Sequence, residues 1–257
     1  MEITAFILGI CPPTRLTWLK QNIDYLEQQN FPFVKKIIAM DEFRGHKMSN
    51  ELKEYFENQG WIVLVDSHMS RVKSMSHGFS LIESEYIFYN EDDVLSTMPD
   101  INDLESVFNA NRNDRECGMI SMTLGGTVFD APTNNIGDLE YMNENTILSN
   151  ARYRIFERDE NYKNAWFFEF PGLFVKSELF KKCHEESKKI GGQIEMALTS
   201  AYFNNKFNEK YYKCSIAKLH ALETLHKNPA FVNTDCRLLT NLDANQGNSG
   251  MGGNHNY

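Results

Sequence analysis

The chain has 257 residues, 42% hydrophobic and 24% charged, with a net charge of −9. That length supplies one large domain with ample material for a core. The acidic balance excludes a nucleic-acid binder that relies on a general basic surface and disfavours docking on anionic lipid.

The first 120 residues alternate short apolar runs with helical patterns. "ITAFILGI" reads as a buried strand, and "TRLTWLKQNIDYLEQQ" follows with Leu16, Leu19, Ile23 and Leu26 at helical spacing. "KKIIAM" is a second strand and "KMSNELKEYFENQG" a second helix, closed by Gly60. "WIVLV" is a third strand, "SRVKSMSHGFSLIES" a third helix and "EYIFYN" a fourth strand. Strands alternating with helices predict an α/β fold: a mainly parallel sheet flanked by helices on both faces. In such sheets ligands bind beyond the carboxyl ends of the strands. Further on, "CGMISMTL" predicts another strand and residues 125–165 an irregular polar region. "AWFFEFPGLFVKSELFKKC" reads as a strand, a Pro-Gly turn and a helix, and "GGQIEMALTSAYFNNKF" as a helix entered from two glycines. "YYKCSIAKLHALETLH" reads as a strand running into a helix. The Gly- and Asn-rich end, residues 241–257, is expected to be disordered.

The fourth strand ends in Asn90 and three acids, Glu91, Asp92 and Asp93. Like charges crowded at a strand end call for a positive partner. Residues i and i+2 of a strand share a side, so Glu91 and Asp93 are expected to face one way. Two carboxylates suit a hard divalent cation, Mg2+ or Mn2+, which leaves positions for substrate phosphates. A solvated acidic loop that caps the next helix is the alternative. Two other acid-x-acid chemistries weaken. A phosphatase nucleophile pair would follow the first strand, where "GICPPTR" has no carboxylate, and "NEDDVLSTMPDI" lacks the central glycine of an EF-hand loop.

The stretch "SRVKSMSHGFSLIESEYIFYNEDDV" resembles the fourth strand–helix unit of GT-A glycosyltransferases, in particular those of family 2. Arg71 falls on that family's arginine, Tyr86-Ile87 on its "Yi", and Glu91-Asp92-Asp93 on its D-x-D, with Glu in place of the first Asp. The resemblance covers residues 3 to 95. It implies a GT-A (Rossmann-like) single domain with a mixed, mainly parallel sheet, a nucleotide-sugar half at 1–123 and an acceptor half at 124–240. It also implies transfer of a sugar from a nucleotide-diphosphate donor, of the UDP or GDP type, to a hydroxyl of a carbohydrate or glycan acceptor, with inversion.

By the same resemblance, Thr14, Arg15, Asp41, Asp66, Arg71 and Asp92 are donor-binding candidates. Glu91, Asp93 and the late His220 are metal candidates, with His226 as the other histidine. Glu195 in "GGQIEMAL" falls on the Glu of the family's "ED" motif, where the second acid is Met196, and is the candidate base; Glu169, Asp130 and Glu223 are its rivals. For Asp41 and Asp66 a turn or helix cap stands beside the ligand role, and for Glu195 an exposed place in a helix first turn. Trp166, Phe167, Phe168 and Phe170 suggest an apolar wall on the acceptor side or ordinary core.

A nucleotidyltransferase of related fold is the rival enzyme, but "GICPPTRLTW" lacks its glycine-rich, lysine-bearing signature. A carbohydrate-binding domain without catalysis is the other rival. The N-terminus shows no basic region of a leader, and no apolar stretch is long enough for a bilayer. Cys11, Cys117, Cys183, Cys214 and Cys236 form no CxxC pair. A reducing, cytoplasmic setting without a cysteine zinc site is the expectation.

Overall fold

A computed structural model describes residues 1–42, 45–67, 70–94, 96, 98–122, 146–149, 153–158, 168 and 172–218. Four strand–helix units open the chain: β1 (Ile3–Ile10), α1 (Pro13–Gln28), β2 (Lys35–Glu42), α2 (Asn50–Glu57), β3 (Ile62–Ser67), α3 (Arg71–Ser80), β4 (Tyr86–Glu91) and α4 (Ile101–Phe108). Then follow β5 (Asn111–Arg112), β6 (Arg115–Ser121), β7 (Thr146–Ser149), β8 (Tyr153–Arg158), β9 (Leu173–Lys176), α5 (Ser177–Ile190), α6 (Ile194–Asn204) and β10 (Tyr211–Lys218).

Local chemistry sets the helix ends. Pro13 opens α1, where its missing N–H costs nothing. The Ser49 hydroxyl accepts from the Leu52 N–H at 3.2 Å to start α2, and Asp100 caps α4 through the Asn102 N–H at 2.8 Å. Gly191, at φ 70°, ends α5.

The strands form one sheet in the order β3-β2-β1-β4-β9-β6-β10-β8-β7, with β5 on β6. β3, β2, β1 and β4 run parallel. β9 is antiparallel to both β4 and β6, and β8 to β10 and β7. The expected mixed sheet with a parallel core is therefore present, and each of its antiparallel pairs includes a strand from β5 onward. Two expectations change. Residues 125–165 hold the strands β7 and β8, with Ile155 buried and Glu157 ion-paired to Arg112 and Arg115. β9 follows Gly172 directly, where the turn was expected to lead to the helix, the strand expected before the turn lies outside the described residues apart from Phe168, and α4 was not foreseen. The tail, the helix expected after Lys218, and Trp166, Phe167 and Phe170 lie outside the described residues.

Strand alternation splits the core into two layers. Ile3, Ala5 and Ile7 of β1, with Tyr86 and Phe88 of β4, face α1, α2 and α4. Phe6, Leu8, Ile87 and Tyr89 face α3, α5 and α6. Phe168 belongs to this second layer, fully buried and stacked 5.4 Å from Phe180, so it is core. α3 comes close to β1 because Gly78 has no side chain; a Cβ there would lie 2.3 Å from the Phe6 ring.

His184 of α5 is buried against α3. Its Nε2 lies 2.8 Å from the Ser76 hydroxyl, and its ring stands edge-on to Phe79. Burial, with Lys188 beside it, pushes the imidazole from 6.5 down to about 4. Between those values the unfolded chain takes up a proton that the folded one refuses. Stability therefore falls as pH drops through the window. His184→Gln should flatten this part of the acid dependence. Melting temperatures of both proteins between about pH 7 and about pH 4 check it; parallel curves would exclude His184 as the cause.

Candidate active site at the carboxyl edge of the parallel strands

β4 ends at Glu91, and the chain turns there: the Val94 N–H reaches back to the Glu91 carbonyl at 3.4 Å, and the Asp92 N–H donates to the Leu8 carbonyl at 3.2 Å. Two asparagines brace this turn. Asn22 of α1 donates to the Glu91 carbonyl at 2.7 Å, and buried Asn90 donates to the Val94 carbonyl at 2.9 Å. Buried backbone carbonyls need such donors.

The three acids part company here. Glu91, on the α3 side of the sheet, pairs with Arg71, the first residue of α3. A cation at a helix N-terminus works against the macrodipole, so Glu91 is what holds Arg71 in place. Asp92 and Asp93 both turn to Arg15 of α1. The Arg15 Nε donates to Asp92 Oδ2 at 3.0 Å, its Nη2 to Asp92 Oδ1 and its Nη1 to Asp93 Oδ2. Asp92 is fully buried and also accepts from the Ile10 N–H at 3.3 Å. Glu91 and Asp93, expected to face one way, take different arginines, while the charge of Asp93 still acts on Glu91. Arg15 and Asp92, expected as donor ligands, are bound to each other inside the protein.

Glu195 arrives from the first turn of α6, close enough for its charge to act on Arg71, Glu91 and Tyr89. Three carboxylates thus pair with two guanidiniums, and the charge of a fourth acts on them. If all were ionised, two negative charges would remain uncompensated. Burial, partly offset by Arg71 and aggravated by Asp93 and Glu195, pushes Glu91 up to about 7. Burial also raises Asp93, against the pull of Arg15.

This charge balance bears on a metal. Carboxylate oxygens are the donors a hard divalent cation takes, and the surplus equals the charge of one such ion. Among the described residues no group of three or more His, Cys, Asp or Glu side chains is gathered as a ligand set. The donors fit in kind and in charge, for an ion that completes its shell with non-protein oxygens. His220 and His226 lie outside the described residues, as do Glu169, Asp130 and Glu223.

The remaining candidates line the same edge. Thr14 is exposed on the first turn of α1. Asp41 is buried at the end of β2, its carbonyl accepting from the Cys11 N–H at 3.0 Å. Asp66 is its register partner on β3 and contacts His77 Nδ1 of α3 at 3.0 Å. Sequence reading missed Asn22, His77 and Gly9. For Asn22 a signal existed: it lies seven positions after Arg15, both beside the apolar stripe of α1.

No family model matches the sequence, and no curated protein matches it. Solved structures do share the fold. TarS 1–349 of S. aureus has 11% identity and a TM-score of 0.51, over 83% of this chain and 58% of that one. Another S. aureus TarS structure gives 10% and 0.53, over 83% and 35%. TarS 1–349 in complex with UDP gives 11% and 0.50, over 84% and 61%. The chain thus spans less than two thirds of each. The likeness is one of fold: a GT-A-like α/β sheet with its parallel core at β3-β2-β1-β4. No helix among the described residues is long and apolar enough to cross a membrane.

The site depends on close approach of β1. A Cβ on Gly9 would stand 2.6 Å from the Asp92 carboxylate. Gly9→Ala therefore forces Asp92 or the β1 backbone to shift and should loosen the Asp92–Arg15 pair, at an expected cost of about 1–3 kcal/mol in urea unfolding. An unchanged midpoint would show that Asp92 is not locked there.

Proposed function

We propose that the chain is a glycosyltransferase of the hexosyltransferase type, moving a sugar from a nucleotide-diphosphate donor to a hydroxyl of a carbohydrate acceptor. One observation carries this reading. Glu195 arrives from a helix about a hundred positions later in the sequence and comes near enough to act by its charge on the Arg71–Glu91 pair at the carboxyl edge of a GT-A-like sheet. A cation and a proton acceptor are thus brought to one place, as a transfer with an anionic leaving group requires.

The acceptor oxygen attacks the anomeric carbon. The bond from that carbon to the diphosphate oxygen breaks, and its electron pair leaves on the diphosphate. The acceptor proton passes to the Glu195 carboxylate, and attack from the face opposite the leaving group inverts the anomeric centre. Arg71, paired with Glu91 and within reach of the Glu195 charge, is placed to meet the new charge on the diphosphate. A divalent cation, when bound, supplies further positive charge there; Asp93, with Glu91, would hold it. Asp41 and the Asp66–His77 pair, side by side at the ends of β2 and β3, are the candidate contacts for the nucleoside. TarS has been crystallised with UDP, which makes UDP-sugars the first donors to try.

Slow donor hydrolysis and calorimetry across a panel of nucleotide sugars, with and without Mn2+, test the reading. One donor should bind and hydrolyse; binding by none of them would remove it. With that donor, Glu195→Gln should lower kcat by roughly 10²–10⁴-fold while donor Kd stays close to wild type. Near-normal turnover would take Glu195 out of the role.

A further inference from the structure

Resting on that reading, we propose that Arg15 is a positioning residue. It holds Asp93 where a divalent cation would otherwise bind, so that the protein takes up Mn2+ or Mg2+ only together with a nucleoside diphosphate.

Arg15 is 6% exposed, beneath the turn after β4. Two of its nitrogens, Nε and Nη2, are spent on Asp92, which is itself fully buried and further fixed by the Ile10 N–H. The third, Nη1, goes to Asp93. The planar fork is thus anchored through Asp92 and leans on Trp18, whose ring centre is 5.6 Å from the Arg15 Cζ. It cannot swing away without leaving a buried carboxylate unpaired. An ion arriving alone at Asp93 meets this fixed positive charge at close range. It also finds fewer than three protein ligand side chains gathered for it among the described residues. A diphosphate changes both conditions. Its negative charge offsets the repulsion between metal and guanidinium, and its oxygens fill the shell. Arg15 acts here through Asp92 and Asp93 and not on the donor.

The test is Mn2+ binding, read from the electron paramagnetic resonance signal of the free ion, with UDP or GDP present or absent. Wild type should bind Mn2+ at least about 10-fold more tightly with one of these diphosphates than without, within the usual range of coupling between ligands. Arg15→Met removes the charge at similar length. It should strengthen Mn2+ binding in the diphosphate-free protein and shrink the ratio to about 2-fold or less. Arg15→Lys keeps a charge and should retain most of the wild-type ratio. A wild-type ratio near one overturns the proposal, as does a folded Arg15→Met protein with the wild-type ratio. If circular dichroism shows Arg15→Met unfolded, the wild-type ratio and Arg15→Lys still decide. If neither diphosphate binds at any Mn2+ concentration, the transferase reading is what fails. The role of Arg15 is then judged by whether Arg15→Met gains diphosphate-free Mn2+ affinity; no gain overturns it.

Discussion

The guanidinium of Arg15, sunk between α1 and the turn after β4, is the contact on which the site depends. Burying an ion pair costs several kcal/mol per ion, and only dense hydrogen bonding offsets that. Asp92 meets the condition by accepting from two Arg15 nitrogens and from the Ile10 N–H. The geometry is set well away from the acids. Pro13 fixes where α1 begins, and the stripe of Leu16, Leu19, Ile23 and Leu26 fixes which face turns inward. With that face settled, Arg15 and Asn22 have no choice but to meet the turn.

A second constraint is the pleat of β4. Because alternate side chains leave opposite faces, Tyr89 and Glu91 belong to the layer of α3 and α6, and Asn90 belongs to the layer of α1. One short strand end therefore serves two helical layers. The α1 layer is spent on rigidity, through Asn22, Asn90 and Arg15. The α3 and α6 layer keeps the groups with surplus charge, Glu91 and Glu195 around Arg71.

Much of the first half was legible in the sequence because its signals are local. Each of the first four strands is an apolar run, and the helices after the first three repeat at helical spacing. The acids at the end of the fourth strand could be placed by counting. Their partners could not, since the two arginines that divide them come from different helices. The second half depends on pairings between distant segments. β9 lies between β4 and β6, antiparallel to both, and nothing in "LFVK" announces that. β7 and β8 are short and carry charge, so their pattern is faint. Glu195 was found by likeness to a motif; that its charge reaches Arg71 is a consequence of packing. Arg15 was noticed, but a positive residue near a site does not declare whether it faces a ligand or a carboxylate.

The place of β9 has a consequence for how the molecule is made. β4 borders β1 on one side and β9 on the other, yet β9 is synthesised some eighty residues after β4. Until then a nascent chain carries the parallel half with an apolar strand, "YIFY", as an unpaired edge, the kind of surface that recruits other chains. Closing so long a loop is also slow. Completion of the sheet and arrival of Glu195 come close together, because β9, α5 and α6 follow one another directly. The segment that protects the edge is thus the same segment that delivers the last acid, and a chain lacking it is both incomplete in chemistry and exposed to aggregation.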